Sequence, residues 1–160
     1  MPFILAPKDP GCFFCRAAAL KAGDEAGWKD ALLLHRDRHA LAIMNRYPYI
    51  GGHLLVAPLR HTSDFANLTP QEHKSMWELA RRCVGLLEKT MRPQGHNLGM
   101  NLGKAAGAGV EAHLHLHVLP RWLGDTNFLP VVDGTHSIPV ALGELWETFR
   151  PEFKRAKHQA

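Results

Sequence analysis

The strictest constraint in this chain is six residues long: His113-Leu114-His115-Leu116-His117-Val118. Strict polar/apolar alternation has the period of a β-strand and not of a helix, so Leu114, Leu116 and Val118 are predicted to face a core and the three imidazoles to share the other face. Side chains two apart on a strand stand about 6.7 Å from one another, which makes His113, His115 and His117 a row. A lone histidine is commonly a solvated or hydrogen-bonded side chain. Three in register against an apolar face point to chemistry, and on the row alone metal binding and nucleophilic or acid–base catalysis both stay open.

The rest of the pattern builds a sheet for this strand to join. Phe13 to Ala22 reads as a short helix that Gly23 ends. Ala31 to His35 and Ala40 to Met44, separated by Arg36-Asp37-Arg38, read as a hairpin, and Gly52 to Pro58 as a third strand. A long helix starts after Leu68, with Thr69 as N-cap, Pro70 in the first turn and Glu72 completing a capping box. Met76, Leu79, Ala80, Cys83, Leu86 and Leu87 make its core stripe, so Cys83 reads as packing, and Pro93 and Gly95 are expected to close it. His96 to Leu102 is a one-sided strand with Leu98, Met100 and Leu102 on its apolar face. Leu142, Leu145, Trp146 and Phe149 recur at helical spacing in a tail of about 139–157, where Pro151 ends that helix or starts another. The order predicts an α+β fold: an antiparallel sheet with helices on one side, a single domain over 1–160.

Composition narrows the function. At 160 residues, 46% of them hydrophobic and 21% charged, the chain has the make-up of one folded domain rather than a disordered scaffold. No apolar run approaches the roughly 18 residues of a membrane span, and the opening Met-Pro-Phe-Ile-Leu has no basic residue ahead of it, so a cytoplasmic protein is expected. Three cysteines without an export signal argue against a disulfide framework. Part of the +4 charge lies in Arg150, Lys154, Arg155 and Lys157, which is no nucleic-acid stripe but suits a phosphate-bearing small molecule.

Two further motifs carry chemistry. The loop Gly103-Lys104-Ala105-Ala106-Gly107-Ala108-Gly109 has almost no side chains, so backbone N–H groups can approach an anion, with Lys104 adding a cation. It is not a Walker loop, since no Gly-Lys-Ser/Thr closes it, and a plain tight turn is the bland alternative. Cys12-Phe-Phe-Cys15 reads as half of a zinc site or as a redox dithiol, and spacing alone does not choose.

Residues 113 to 119, His-Leu-His-Leu-His-Val-Leu, fit the His-φ-His-φ-His-φ-φ hallmark of the histidine triad (HIT) family of nucleotide hydrolases and transferases, where φ is apolar. The likeness extends from Cys12 to about Pro130 through Met44-Asn45-Arg46-Tyr47-Pro48, Gly52-His53-Leu54-Leu55-Val56-Ala57-Pro58, Asn101-Leu102-Gly103, Ala106-Gly107 and Pro120-Arg121. The stretch from Gly99 to Pro130 most resembles the diadenosine tetraphosphate phosphorylase/hydrolase-like branch. The resemblance implies that His115 attacks the α-phosphorus of a dinucleoside polyphosphate to form a nucleotidyl-histidine intermediate, which water or inorganic phosphate then resolves. The other nitrogen of His115 is expected to donate to a backbone carbonyl on an adjacent strand. His117 would contact phosphate or leaving-group oxygens, His53 would support the triad, Asn45 would bind the ribose and Asn101 the phosphates.

Family members with the N-terminal cysteine pair complete a zinc tetrahedron with the histidine of Pro-x-x-His and the first triad histidine. The resemblance therefore implies a closed, structural Zn²⁺ site of Cys12, Cys15, His61 and His113 that pins the segment about 10–22 to the sheet, with the triad strand at about 112–120. It further implies a homodimer. The chain departs from the family before the triad, where Ala-Gly-Ala-Gly-Val-Glu-Ala replaces Ala-Gly-Gln-Ser/Thr and is one residue longer, so backbone amides of Gly107, Ala108, Gly109 and Val110 are expected to hold the phosphates. Asp125-Thr126-Asn127 reads first as a turn and second as a cap on the pocket. The rivals to this reading are a purine nucleoside phosphoramidase of the same family and a non-catalytic nucleotide-binding module.

Overall fold

The computed structural model describes residues 11–125 and 141–155. The chain runs α1 (Phe13–Ala19), α2 (Glu25–Asp30), β1 (Leu33–Arg36), β2 (Ala40–Met44), β3 (Leu54–Pro58), α3 (Pro70–Met91), β4 (Gly95–Met100), a 3-10 turn (Lys104–Ala106), β5 (Leu116–Arg121) and α4 (Leu142–Arg155). The five strands form one antiparallel sheet in the order β1-β2-β3-β5-β4, so the fold is α+β as the element order implied. α3 packs across β2, β3 and β5, and α4 packs on β1 and α3. Leu116 and Val118 are buried, as the alternation requires, and the α3 stripe from Met76 to Leu87 is buried too. No helix among the described residues is long and apolar enough to cross a membrane.

The capping box holds α3 at its start. Thr69 accepts from the Glu72 amide, Glu72 accepts from the Thr69 amide, and Arg60 forks onto the same carboxylate at 2.9 Å. That Arg60 guanidinium, with the capping N–H bonds behind it, pulls Glu72 down to about 2 against the opposing effect of burial. Cys83 is fully buried and its thiol is pushed up to about 12, so it packs and does not react.

Several expectations need correction. α2 was not foreseen: Asp24 caps it by accepting from Gly27, and Trp28 anchors it, but six residues are too few for a periodicity to show. α3 ends at Arg92, which takes the left-handed conformation at φ 51°, and Gly95 opens β4 instead of closing the helix. β4 lies at the edge of the sheet, so Leu98 is 40% exposed and Leu102 50% exposed rather than buried. α4 continues through Pro151, because Phe149 and Phe153 are buried on either side of it and Arg150 is tied to the Leu34 carbonyl and the Glu25 carboxylate. These contacts offset the roughly 3 kcal/mol an interior proline costs a helix. The Phe14 ring of α1 lies against His113 and His115. Positions 10, 126–127, 139–140 and 156–157 of the expected segments lie outside the described residues.

Candidate functional site

The site is built where β3 and β5 pair, with Leu55 opposite His117. β5 begins only at Leu116, so the strand expected over 112–120 is shorter at its start, and Leu114 donates instead to the Thr62 carbonyl at 2.7 Å. That irregular entry splits the histidines. His113 turns toward the two cysteines, while the rings of His115 and His117 lie 4.9 Å apart. They are therefore no row of equivalent solvated imidazoles: all three are buried, His113 completely.

Hydrogen-bond geometry fixes the proton on each ring. A carbonyl only accepts, so His115 donates from Nδ1 to the His113 carbonyl at 2.8 Å, and its Nε2 carries the lone pair. The carbonyl belongs to the residue two before it in the chain, not to an adjacent strand. His53 receives the Tyr49 backbone N–H on Nδ1 at 3.2 Å, which leaves its Nε2–H to donate to His117 Nδ1 at 2.9 Å. His117 must then carry its hydrogen on Nε2, and that atom is buried with no partner among the described residues. A neutral nucleophilic nitrogen and an unused N–H donor thus sit on neighbouring rings. Burial first, then the charge of His117 and His115, pushes His53 down to about 3, and burial with the charge of His115 pushes His117 to about 4. Burial also lowers His115.

His53 is delivered by a tight turn. The Asn45 N–H closes it on the His53 carbonyl at 3.0 Å, and Gly52 adopts φ 84°, a left-handed backbone that favours glycine, where a Cβ would also press on the Met91 side chain. The Asn45 carboxamide accepts from Tyr47 N–H and points its nitrogen at His53 Nδ1.

Cys12, Cys15, His61 and His113 bring one ligand atom each to within 4.8 Å of one another. Cys12 Sγ lies 3.2 Å from His113 Nδ1 and Cys15 Sγ 3.2 Å from His61 Nδ1. His113 donates its Nε2–H to the Pro58 carbonyl at 2.8 Å, leaving Nδ1 as a lone pair facing the sulfurs. Burial, then the adjoining Cys12, raises the Cys15 thiol, a crowding of two sulfurs that a cation between them would relieve. The donor set fits a soft divalent metal.

The HIT domain family model matches residues 27–122, across both the His53 turn and all three histidines. The chain belongs to the HIT family. An AP-4-A phosphorylase of Mycobacterium tuberculosis (strain ATCC 25618 / H37Rv) is 35% identical over 127 residues, 79% of this chain, and the chain spans 65% of that relative's length. A bis(5'-adenosyl)-triphosphatase of Dictyostelium discoideum is 34% identical over 82 residues, 51% of this chain and 54% of that protein. Among solved structures, a Zn-bound histidine triad family protein from Mycobacterium smegmatis shares the fold at TM-score 0.69 and 24% identity, covering 94% of this chain and 98% of its own.

In this HIT chain a groove of about 230 Å³ is lined by His117, Tyr49, Asn97, Asn101 and Leu119. Gly99 faces His117 across the strand pair, and the space a Cβ would take there is open. Asn101 donates to the Gly107 carbonyl at 3.4 Å, tying β4 to the glycine loop. Gly107 takes φ 83° and its N–H is engaged by the Lys104 carbonyl, so the loop amides left for a ligand are those of Ala108, Gly109 and Val110. Asp125 accepts from Arg121 and from the Trp122 N–H, in keeping with a turn; Thr126 and Asn127 lie outside the described residues. Sequence reasoning missed Tyr49, whose backbone sets the His53 tautomer, and Phe14, whose ring abuts two triad histidines. The apolar pair inside Cys12-Phe-Phe-Cys15 was the available signal for Phe14; a main-chain N–H leaves none.

Proposed function

We propose that this chain cleaves dinucleoside polyphosphates of the diadenosine tetraphosphate type at an α-phosphorus, through a covalent nucleotidyl-His115 intermediate. One observation carries the reading: the open lone pair on His115 Nε2 stands beside the unpaired Nε2–H of His117. His115 Nε2 attacks phosphorus, the N–P bond forms as the P–O bond to the departing nucleotide breaks, and that nucleotide leaves as an anion with the bonding electrons. The imidazolium so formed keeps its Nδ1–H on the His113 carbonyl, while His117 Nε2–H steadies the charge growing on the phosphate and leaving-group oxygens. Water or inorganic phosphate then attacks, the electrons return to Nε2, and the acceptor's proton goes to solvent.

The remaining residues orient. His53 holds His117 in the donor tautomer, Asn101 and the amides of Ala108, Gly109 and Val110 hold phosphate, with Gly107 making the turn, and Asn45 offers the ribose the hydrogen-bonding capacity its internal contacts leave over. Zn²⁺ at Cys12, Cys15, His61 and His113 supplies a closed structural tie and no reacting oxygen. The relatives' names and the zinc-bound neighbour support this reading. The exposed Leu98 on the edge strand and Leu102 just beyond it fit a homodimer, and thiol–metal chemistry fits a reducing, cytoplasmic setting for one domain over 1–160.

The test is diadenosine tetraphosphate turnover with and without inorganic phosphate. A nucleoside diphosphate that appears only with phosphate marks a phosphorylase, and a monophosphate in either case marks a hydrolase. No cleavage in either condition, with nucleotide still bound, overturns the enzyme reading.

A further inference from the structure

The cysteine-bearing helix does more than close the metal cluster. Phe14 lies between Cys12 and Cys15, is fully buried, and meets the His113 ring at 4.9 Å and the His115 ring at 5.2 Å. One side chain therefore touches both a member of the metal cluster and the ring whose Nε2 is open. His113 completes a second link, since its own carbonyl receives the Nδ1–H of His115. Its imidazole is held in turn by the Pro58 carbonyl and abuts Cys12 Sγ.

We infer that Phe14 is a positioning residue for His115, through which the helix that Cys12 precedes and Cys15 lies in fixes the direction in which His115 Nε2 points. This rests on the nucleotidyl-His115 reading. A single hydrogen bond at Nδ1 restrains one edge of an imidazole and leaves the ring free to rock about it. A rigid aromatic ring packed at 5.2 Å and tilted by 35° limits that rocking, and the His117 ring at 4.9 Å bounds it further. Phe14 touches no reacting atom. A flexible aliphatic side chain at position 14 would fill much of the same volume and keep the helix packed, but would present no rigid face. The metal cluster, the helix and the nucleophile are thus mechanically joined, and an error in aim is costly, because a displacement of about 1 Å at a reacting group can cost on the order of 100-fold in rate.

The experiment compares wild type with Phe14→Leu, and with Phe14→Met in case the leucine variant folds poorly, all purified with zinc bound. Four quantities are read: zinc per chain, the KM for diadenosine tetraphosphate, the single-turnover rate of adduct formation on His115 with that substrate, and long-range ¹H–¹⁵N correlations of the histidine rings in ¹⁵N-histidine-labelled protein. The expected result is unchanged zinc content, a KM within about 3-fold, an adduct rate lower by about 10-fold, and shifted or broadened His115 ring signals. Wild-type rate with wild-type His115 signals overturns the inference. So does a rate loss that tracks lost zinc while His115 signals in the zinc-bound fraction stay unchanged. Should wild type itself form no adduct, the catalytic reading falls, and the His115 signals still decide whether Phe14 orients that ring.

Discussion

His53 Nε2 lies 2.9 Å from His117 Nδ1, and the sense of that hydrogen bond is set by the Tyr49 backbone N–H on the far side of the His53 ring. Because a main-chain N–H can only donate, the tautomer of both imidazoles follows, and the Nε2–H of His117 is left without a partner among the described residues. His53→Leu removes the donor and leaves His117 Nδ1 buried without a partner. The expected loss in kcat/KM is about 10-fold, the equivalent of one hydrogen bond. His53→Gln, whose amide can still donate, should lose much less; equal losses would remove the tautomer role.

His115→Ala should give no nucleotide adduct by intact mass after rapid acid-free quenching. His117→Ala should still form it, slower by about 100-fold, since it removes a charge-stabilising donor and not the nucleophile. An adduct of wild-type yield in His115→Ala would mean that another group attacks.

The buried imidazoles make a pH prediction. His53 and His117 sit at about 3 and about 4, both below the ordinary value near 6.5. Between those limits the unfolded chain binds more protons than the folded one, so stability rises with pH across the window and is lost as pH falls through it. Melting temperature should be flat above about pH 6.5 and decline toward pH 4, with a shallower decline in His53→Gln. Burial lowers His115 too, so the acid limb of kcat/KM should lie below the ordinary histidine value near 6.5; a limb at that value would show that the nucleophile is solvated.

Removal of the metal should act mainly on stability. Cys12→Ser breaks a four-ligand set that joins the N-terminal helix to His61 and His113, and the melting temperature is expected to fall by about 5–10 °C, measured by calorimetry. Turnover per folded molecule should fall by a smaller proportion. Abolished activity with an unshifted melting point would show that the metal acts at the reaction and not in the scaffold.

The capping of α3 offers a control remote from the cleft. Thr69→Ala removes the hydroxyl that receives the Glu72 amide and should cost about 1 kcal/mol, read by urea titration, with adduct formation unchanged. A change in adduct rate would tie α3 to the site in a way its packing does not show.

What the sequence determined by itself was local and periodic. The alternation at 113–118, the Thr69–Glu72 capping box, the α3 stripe and the spacing of Cys12 and Cys15 each rest on residues a few positions apart, where backbone geometry alone dictates which side chains meet. What the tertiary structure decided depends on groups far apart in the chain or carried by the backbone. The break before Leu116 that parts His113 from His115, the Tyr49 N–H that fixes His53, the Pro58 carbonyl that holds His113 and the edge position of β4 leave no mark in residue type. Main-chain donors and acceptors are the same at every non-proline position, so which of them reaches which imidazole is settled only when the sheet closes.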